Sequence, residues 1–144
     1  MRCAVAGRSS AISTTVRGPS LYATAGVRPA VREIGVFNTT ATATAVMICR
    51  ASATGTQGAG LTEVAETDDS HTVVATAFNT HTADATVGGP IRQASIGAAI
   101  GSGVVFTWGD NGLIIDNATT AGIVIACPSG VTGQLLDFWI IWDE

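Results

Sequence analysis

The sequence predicts an all-β protein: an antiparallel β-sandwich or jelly-roll-like single domain with an extended N-terminal arm. First, the β-branched residues Thr, Val and Ile are plentiful, and such residues favour a pleated sheet. Second, several segments alternate between apolar and polar residues with a period of two. Third, clusters of turn-forming residues separate these segments at short intervals, which is typical of sandwiches. A chain of 144 residues fits one domain of this kind.

The chain is expected to divide into two parts of unequal character. Residues 1–30 are predicted to form a partly extended arm, and residues 31–144 are predicted to form the sandwich. Arms of this type order only when they find a partner, so they are common sites of contact between subunits.

The clearest strand signal is Thr40–Cys49, where Thr and Ala alternate before the segment becomes apolar. One face of this strand would carry mostly β-branched side chains, and the other would carry small Ala side chains. Small side chains let another layer approach closely. Further strands are predicted at Val31–Phe37, His71–Phe78, Val104–Trp108, Leu113–Ile115, Gly122–Cys127 and Leu135–Trp142.

Turn signals predict how these strands are connected. Gly109–Gly112 is predicted to form a tight hairpin turn, and Gly88–Pro90 to form a loop. Gly55–Gly60 is predicted to be a surface loop; a phosphate-binding loop is excluded because the chain contains no lysine. The glycosylation-type sequences that begin at Asn38 and Asn117 are expected to supply turn geometry and hydrogen bonds.

Charge is segregated along the chain. Residues 1–32 carry five arginines and no acid, whereas residues 33–144 carry two arginines and all eleven acids. Arginine is the cation preferred in interfaces, because its planar guanidinium binds carboxylates in a bidentate manner. The arm is therefore expected to contact another protein surface, either a shell or a neighbouring subunit. The residues predicted to make that contact are Arg2, Arg8, Arg17, Arg28 and Arg32.

Composition indicates buried surface beyond that of a single core. Hydrophobic residues make up 47% of the chain and charged residues only 12%, against about 25% in ordinary domains. This favours a homo-oligomer, in which carboxylates such as Glu63 and Glu66 could receive arginines from a neighbouring subunit. The net charge of −4 disfavours nucleic-acid binding, and no apolar run is long enough to predict a membrane span. Without a signal-peptide pattern, synthesis in the cytoplasm is expected.

The sequence contains no convincing catalytic constellation, and no enzyme is predicted. His71, His81 and Asp84, with Asp68 and Asp69 nearby, lack the spacing of a metal site, so no metal or cofactor is expected. If these residues did bind a metal, the oxygen-rich aspartates would favour calcium. No serine lies in a nucleophile-elbow motif.

The three cysteines are too widely spaced for a zinc or thioredoxin-like motif. Cys3, Cys49 and Cys127 are expected to be free and mostly buried, although one disulfide with a spare thiol is left open.

Aromatic residues cluster near the C-terminal end of the sequence. Leu135–Trp142 is almost entirely apolar, so it is expected to be covered on both faces. A sugar-binding platform could be assembled from Tyr22 and this cluster, but a core or interface strand is favoured. The residues predicted for the core or the oligomer interface are Phe138, Trp139, Ile140 and Trp142.

Three stretches carry a resemblance to a known class of proteins. They are Val31–Thr40 with the Ala-Thr strand that follows it, Gly97–Gly109, and the end of the sequence, Leu135–Glu144. In their general sequence character and in the order of their strands, they resemble the small virion proteins of tailed bacteriophages that decorate or cement the capsid exterior. The resemblance implies a β-rich, commonly trimeric protein with no active-site residues. It also implies a place on the capsid surface and the major capsid protein as a partner.

The expected function is therefore structural: a homo-oligomer, expected to be a trimer, that stabilises a phage capsid from outside. The alternative is a trimeric jelly-roll module that binds a receptor or glycan as part of a phage fibre or tail.

Overall fold

The computed structural model describes residues 1–83 and 85–144 and confirms the all-β, antiparallel sandwich. This described part contains no helix, and hence none long and apolar enough to cross a membrane. Its strands are β1 (Arg2–Arg8), β2 (Ser20–Tyr22), β3 (Ala30–Asn38), β4 (Thr44–Ala51), β5 (Val64–Ala65), β6 (Thr76–Phe78), β7 (Val87–Ile96), β8 (Gly103–Thr107), β9 (Leu113–Ile114), β10 (Gly122–Ala126) and β11 (Leu136–Asp143).

The strands form two sheets. Sheet A has the order β5-β1-β11-β3-β8, with β9 also pairing with β3, and sheet B has the order β6-β2-β10-β4-β7. Every pairing is antiparallel. The inner faces of the sheets enclose one main core. Its largest members include Trp142 and Ile140 from sheet A and Ile123 and Ile48 from sheet B, all fully buried.

The predicted N-terminal arm is not separate from the sandwich. β1 lies between β5 and β11 in sheet A, and β2 lies between β6 and β10 in sheet B. Cys3, Val5, Ile12 and Leu21 belong to the main core. The expected boundary at residue 30 is therefore wrong, because these apolar side chains are needed to close the core at both sheets.

The Ala-Thr strand begins later than predicted, at Thr44. The buried Asn38 side chain explains this difference, because its amide donates to the Thr42 carbonyl at 2.6 Å and to the Gly97 carbonyl at 3.2 Å. Its side-chain oxygen also accepts from the Thr40 backbone N–H at 3.1 Å. These bonds hold the intervening residues in a turn, so Asn38 has the turn-forming role expected for it.

The predicted hairpin at Gly109–Gly112 is also corrected. The turn forms, with Gly112 N–H donating to the Gly109 carbonyl at 2.8 Å and Gly112 at a φ of +63°. However, the strands before and after it do not pair with each other. β8 and β9 both pair antiparallel with β3, so the chain continues in the same direction after a short excursion. The Arg32 guanidinium stabilises this excursion by donating to the Gly109 and Asp110 carbonyls.

The longest strand, β7, was not predicted, and its first residues were expected to be a loop. β7 lies at the edge of sheet B and, among the described strands, pairs with β4 alone, with register irregularities at Cys49 of β4. Pro90 can occupy an edge strand because its missing N–H costs no ladder bond on the unpaired side. Proline, bulges and the exposed Arg92 also oppose further pairing at this edge.

Candidate interaction surface

The outer face of sheet A presents apolar side chains in the middle of a β-sandwich surface. In β11, burial alternates residue by residue: Phe138, Ile140 and Trp142 point into the core, whereas Trp139 and Ile141 point outward and are half-buried. β11 was expected to be covered on both faces. Within the single chain, the core covers its inner face, and its outer face stays partly open to solvent.

Strand register places further small and apolar residues beside Trp139 and Ile141. Ala4 is paired with Ile141 and with Val64, and Ala6 is paired with Trp139. On the other side, Gly35 of β3 lies between Trp139 and Val105. Val64 and Val105 are 52% and 43% exposed, respectively, so large aliphatic side chains are open to solvent on both sides of Trp139 and Ile141. We call this band the apolar face. Its residues are Ala4, Ala6, Gly35, Phe37, Val64, Val105, Trp139 and Ile141.

Trp139 is fixed in the centre of the apolar face. Its ring stacks on Phe37 with the centroids 5.1 Å apart and the planes inclined by 25°. Its Nε1 donates to Glu33 Oε1 at 2.6 Å. The indole lies directly over Gly35, where a Cβ atom would come within 2.2 Å of Trp139 Cε2. A glycine is therefore required here for the indole to lie flat, which leaves Trp139 pre-ordered for contact with a partner.

Arg–Asp ion pairs border the apolar face at both ends, and we call these residues the rim. At one end, the Arg8 guanidinium donates to both oxygens of Asp137 at 2.7 and 2.9 Å. At the other end, Asp143 accepts from Arg32 Nε at 2.6 Å and from Arg2 Nε at 3.3 Å. An apolar centre with a charged rim is the usual anatomy of a protein interface.

These pairs lower the pKa of both aspartates. The Arg8 hydrogen bonds lower the pKa of the Asp137 carboxyl. For Asp143, desolvation raises the pKa, but the hydrogen bonds from Arg32 and Arg2 outweigh it and the net shift is downward. Both carboxylates are thus held ionised, and the rim keeps charges of both signs at neutral pH.

The rim changes the interpretation of the arginine-rich segment. Arg2, Arg8 and Arg32 were expected to reach a neighbouring subunit, but they bind aspartates of the same chain. Arg28 lies 3.8 Å from Asp116 and both side chains are largely exposed. Arg17 is half-buried, and its carbonyl accepts from the His81 backbone N–H. The pairing of β11 with β1 and β3 therefore places three of the five arginines beside aspartates of β11.

A groove of about 530 Å³ runs along the apolar face. Ala4, Ala6 and Ile141 line it together with Trp139 and Val64, and polar groups enter from Glu33, Glu66 and Thr62. It is an open depression, so it fits a side chain or a sugar ring better than an enclosed substrate.

The predicted aromatic platform is reduced to Trp139. Trp142 and Phe138 are buried in the core. Tyr22 is buried on the other sheet, where it contacts the edge of Phe78 with the centroids 6.3 Å apart, and burial raises its pKa to about 12. These three rings are not available to stack on a sugar.

The two histidines lie in different surroundings. His81 is buried, and its Nε2 lies 2.8 Å from the hydroxyl of buried Ser20. This is a serine–histidine contact, but neither side chain is accessible to a substrate. His71 lies instead beside Glu144, with 3.2 Å between Nε2 and Oε1. Asp84, the third residue considered in the sequence, lies outside the described residues.

All three cysteines are free and buried, as expected. Burial raises the pKa of the Cys3 thiol to about 11, with the Glu144 charge contributing, and burial also raises the pKa of Cys49 and Cys127. A nucleophilic cysteine requires a lowered pKa. These thiols are therefore suited to packing and not to nucleophilic attack.

Comparison of the chain with known protein families, with curated proteins and with solved structures gave no match.

Proposed function

We propose that the protein is a non-enzymatic structural component of a virion. It forms a homo-oligomer, expected to be a trimer, that attaches to the outside of a phage capsid and stabilises the shell. The observation that carries the oligomer is the apolar face of sheet A with its Arg–Asp rim. The capsid as the partner rests on the resemblance to decoration and cement proteins described for the sequence.

The occupant proposed for the apolar face is another copy of the chain. The rim supports this choice because each end carries arginine next to aspartate, so a second identical rim offers both signs in return. Ala4 and Ala6 add no bulk to the centre, which lets a facing surface approach the sheet closely. A stable interface buries about 800 Å² on each partner, and apolar area contributes roughly 25 cal/mol per Å².

Oligomerisation gives the proposed function its mechanism. A protein that binds only the assembled shell stabilises that state by mass action. Linked copies bind several capsid sites at once, so their combined affinity exceeds that of one copy without any new contact. Loss of the oligomer should therefore weaken capsid binding even if the capsid-contacting surface is untouched.

The test is co-sedimentation of the full chain with capsids that lack it. Ala6→Glu places a charge on an exposed residue of the apolar face without disturbing the core. Ala98→Glu is the matched control, because Ala98 is also exposed but lies in the turn between β7 and β8. We expect the wild type and Ala98→Glu to bind and Ala6→Glu to bind at least about tenfold more weakly. Absence of wild-type binding, or equal binding by all three proteins, contradicts the proposal.

A second function, glycan binding, is favoured by one observation. The half-exposed indole of Trp139 lines the groove together with Glu33, Glu66 and Thr62, and an aromatic ring beside polar groups can bind a sugar. A glycan array probed with the wild type and with Trp139→Ala distinguishes the two functions. Sugar binding that is lost in Trp139→Ala while the oligomer persists favours the glycan-binding module.

A further inference from the structure

We infer that Cys3, His71 and Glu144 form a binding site for one divalent cation of the zinc class. Cys3 Sγ, a ring nitrogen of His71 and a carboxylate oxygen of Glu144 all lie within 4.8 Å of one another. The His71 Nε2 to Glu144 Oε1 distance is 3.2 Å. Zinc bonds of about 2.0–2.3 Å in tetrahedral geometry place ligand atoms roughly 3.3–3.8 Å apart. Only small side-chain movements are therefore needed to enclose a cation.

Three separate segments supply the ligands. Cys3 lies on β1, and Glu144 follows β11 directly, where its backbone N–H donates to the Met1 carbonyl at 2.9 Å. His71 lies in the connection between β5 and β6. Its backbone N–H donates to the Asp68 carbonyl at 3.0 Å, and the Asp68 carboxylate accepts from the Ser70 backbone N–H at 3.0 Å. This turn holds His71 over the end of sheet A.

Hydrogen bonds orient the carboxylate of Glu144, whose side chain is only 2% exposed. It accepts from the backbone N–H groups of Val74 and Ala75 at 2.7 and 3.1 Å and from Trp142 Nε1 at 3.1 Å. A cation would replace the His71 hydrogen bond and leave these three in place. Outer hydrogen bonds of this kind fix a ligand's orientation and strengthen metal binding.

The donor set selects the metal. A thiolate sulfur, an imidazole nitrogen and a carboxylate oxygen are zinc ligands, whereas calcium and magnesium require mostly oxygen. The Asp68 carboxylate, considered for calcium from the sequence, is engaged with Ser70 instead. The site therefore shares only His71 with the one considered on sequence grounds, and it favours a different metal.

Binding of zinc to Cys3 requires the thiolate form of the sulfur. Zinc would displace the thiol proton, because a coordinating thiol is deprotonated.

The site is open to solvent on the side of His71. The His71 side chain is 28% exposed and lines a groove of about 360 Å³ with Asp69, Glu63 and Val73. A cation can enter from this groove, and water can fill the fourth position. Bound zinc would join β1, the end of β11 and the β5–β6 connection, and so stabilise the folded chain.

The test uses the full chain without a histidine tag, freed of metal with a chelator and titrated with zinc by calorimetry and thermal unfolding. We expect one zinc per chain and a rise in the unfolding midpoint. His71→Ala removes a partly exposed ligand and should weaken binding by at least about tenfold. Cys127→Ser is the matched thiol control, because Cys127 is buried elsewhere, and it should bind as the wild type does.

Cobalt provides a second readout. Cobalt bound to the wild type should show a thiolate-to-metal charge-transfer band that is absent in Cys3→Ser and present in Cys127→Ser. Absence of zinc binding by the wild type, or equal affinity in His71→Ala, overturns the site. Because none of these ligands lies on the apolar face, failure here leaves the proposed function standing, and the reverse also holds.

Discussion

Gly35→Ala should displace the Trp139 side chain from its position over residue 35 and destabilise the protein. The added Cβ would lie 2.2 Å from Cε2 and 2.3 Å from Cζ2 of the indole, well inside van der Waals contact. Trp139 must then leave its position and lose both the Phe37 stack and the Glu33 hydrogen bond. Overpacking of this kind lowers the free energy of unfolding by about 1–3 kcal/mol. Loss of the aromatic stack accounts for about 0.5–1.5 kcal/mol of this decrease.

A double-mutant cycle isolates this contact. In a Trp139→Ala background the obstacle is gone, and Gly35→Ala should be neutral or slightly stabilising, because glycine weakens a strand by about 0.5–1 kcal/mol relative to alanine. The double variant should therefore be about 1–3 kcal/mol more stable than the sum of the single effects predicts. Chemical denaturation followed by circular dichroism, at one fixed protein concentration, gives the four free energies of unfolding.

Gly60→Ala is the matched control for this cycle. A Cβ on Gly60 meets nothing within 4 Å, so the change should stay within about 0.5 kcal/mol. Strictly additive effects of Gly35→Ala and Trp139→Ala would refute the placement of the indole over Gly35.

Two further predictions concern acid stability and truncation. The carboxyls of Asp137, Asp143 and Glu144 have lowered pKa values in the fold. Their contribution to stability is therefore present above their unfolded values, near pH 4, and is lost as the pH falls through the folded values. Denaturation midpoints measured from pH 7 down to pH 2 should fall mainly below about pH 4, and Glu144→Gln should flatten this fall; an unchanged profile in that variant would contradict the assignment. Deletion of residues 1–30 should abolish folding, because it removes β1 and β2 from both sheets. A deletion variant with native circular dichroism and a cooperative transition would show that these strands are dispensable.

Local sequence patterns predicted the fold class and several strands because strand periodicity is a short-range property. The apolar run of β11 and the Thr-Ala alternation that leads into β4 are visible within eight or ten residues. β7 was not predicted because Gly88–Pro90 has the composition of a turn. A strand can contain this proline because β7 lies at the edge of its sheet.

The candidate sites could not be predicted in the same way because their parts are distant in the sequence. Arg8 and Asp137 are 129 residues apart, and only the register of β1 against β11 brings them together. His71 and Glu144 are 73 residues apart, and they meet because His71, which was predicted to begin a strand, lies instead in the connection before β6 (Thr76–Phe78). The segregated charge was the available signal for the Arg–Asp pairs, but it was interpreted as contact with another subunit, whereas the structure pairs these arginines with aspartates of the same chain.

Sedimentation equilibrium of the full chain, compared between the wild type, Ala6→Glu and Ala98→Glu, tests most directly whether another copy covers the apolar face. The account predicts a multiple of the single-chain mass for the wild type and Ala98→Glu, and a shift to the single-chain mass for Ala6→Glu. A wild type that stays at the single-chain mass at every concentration, or an Ala6→Glu variant as oligomeric as the wild type, would contradict it.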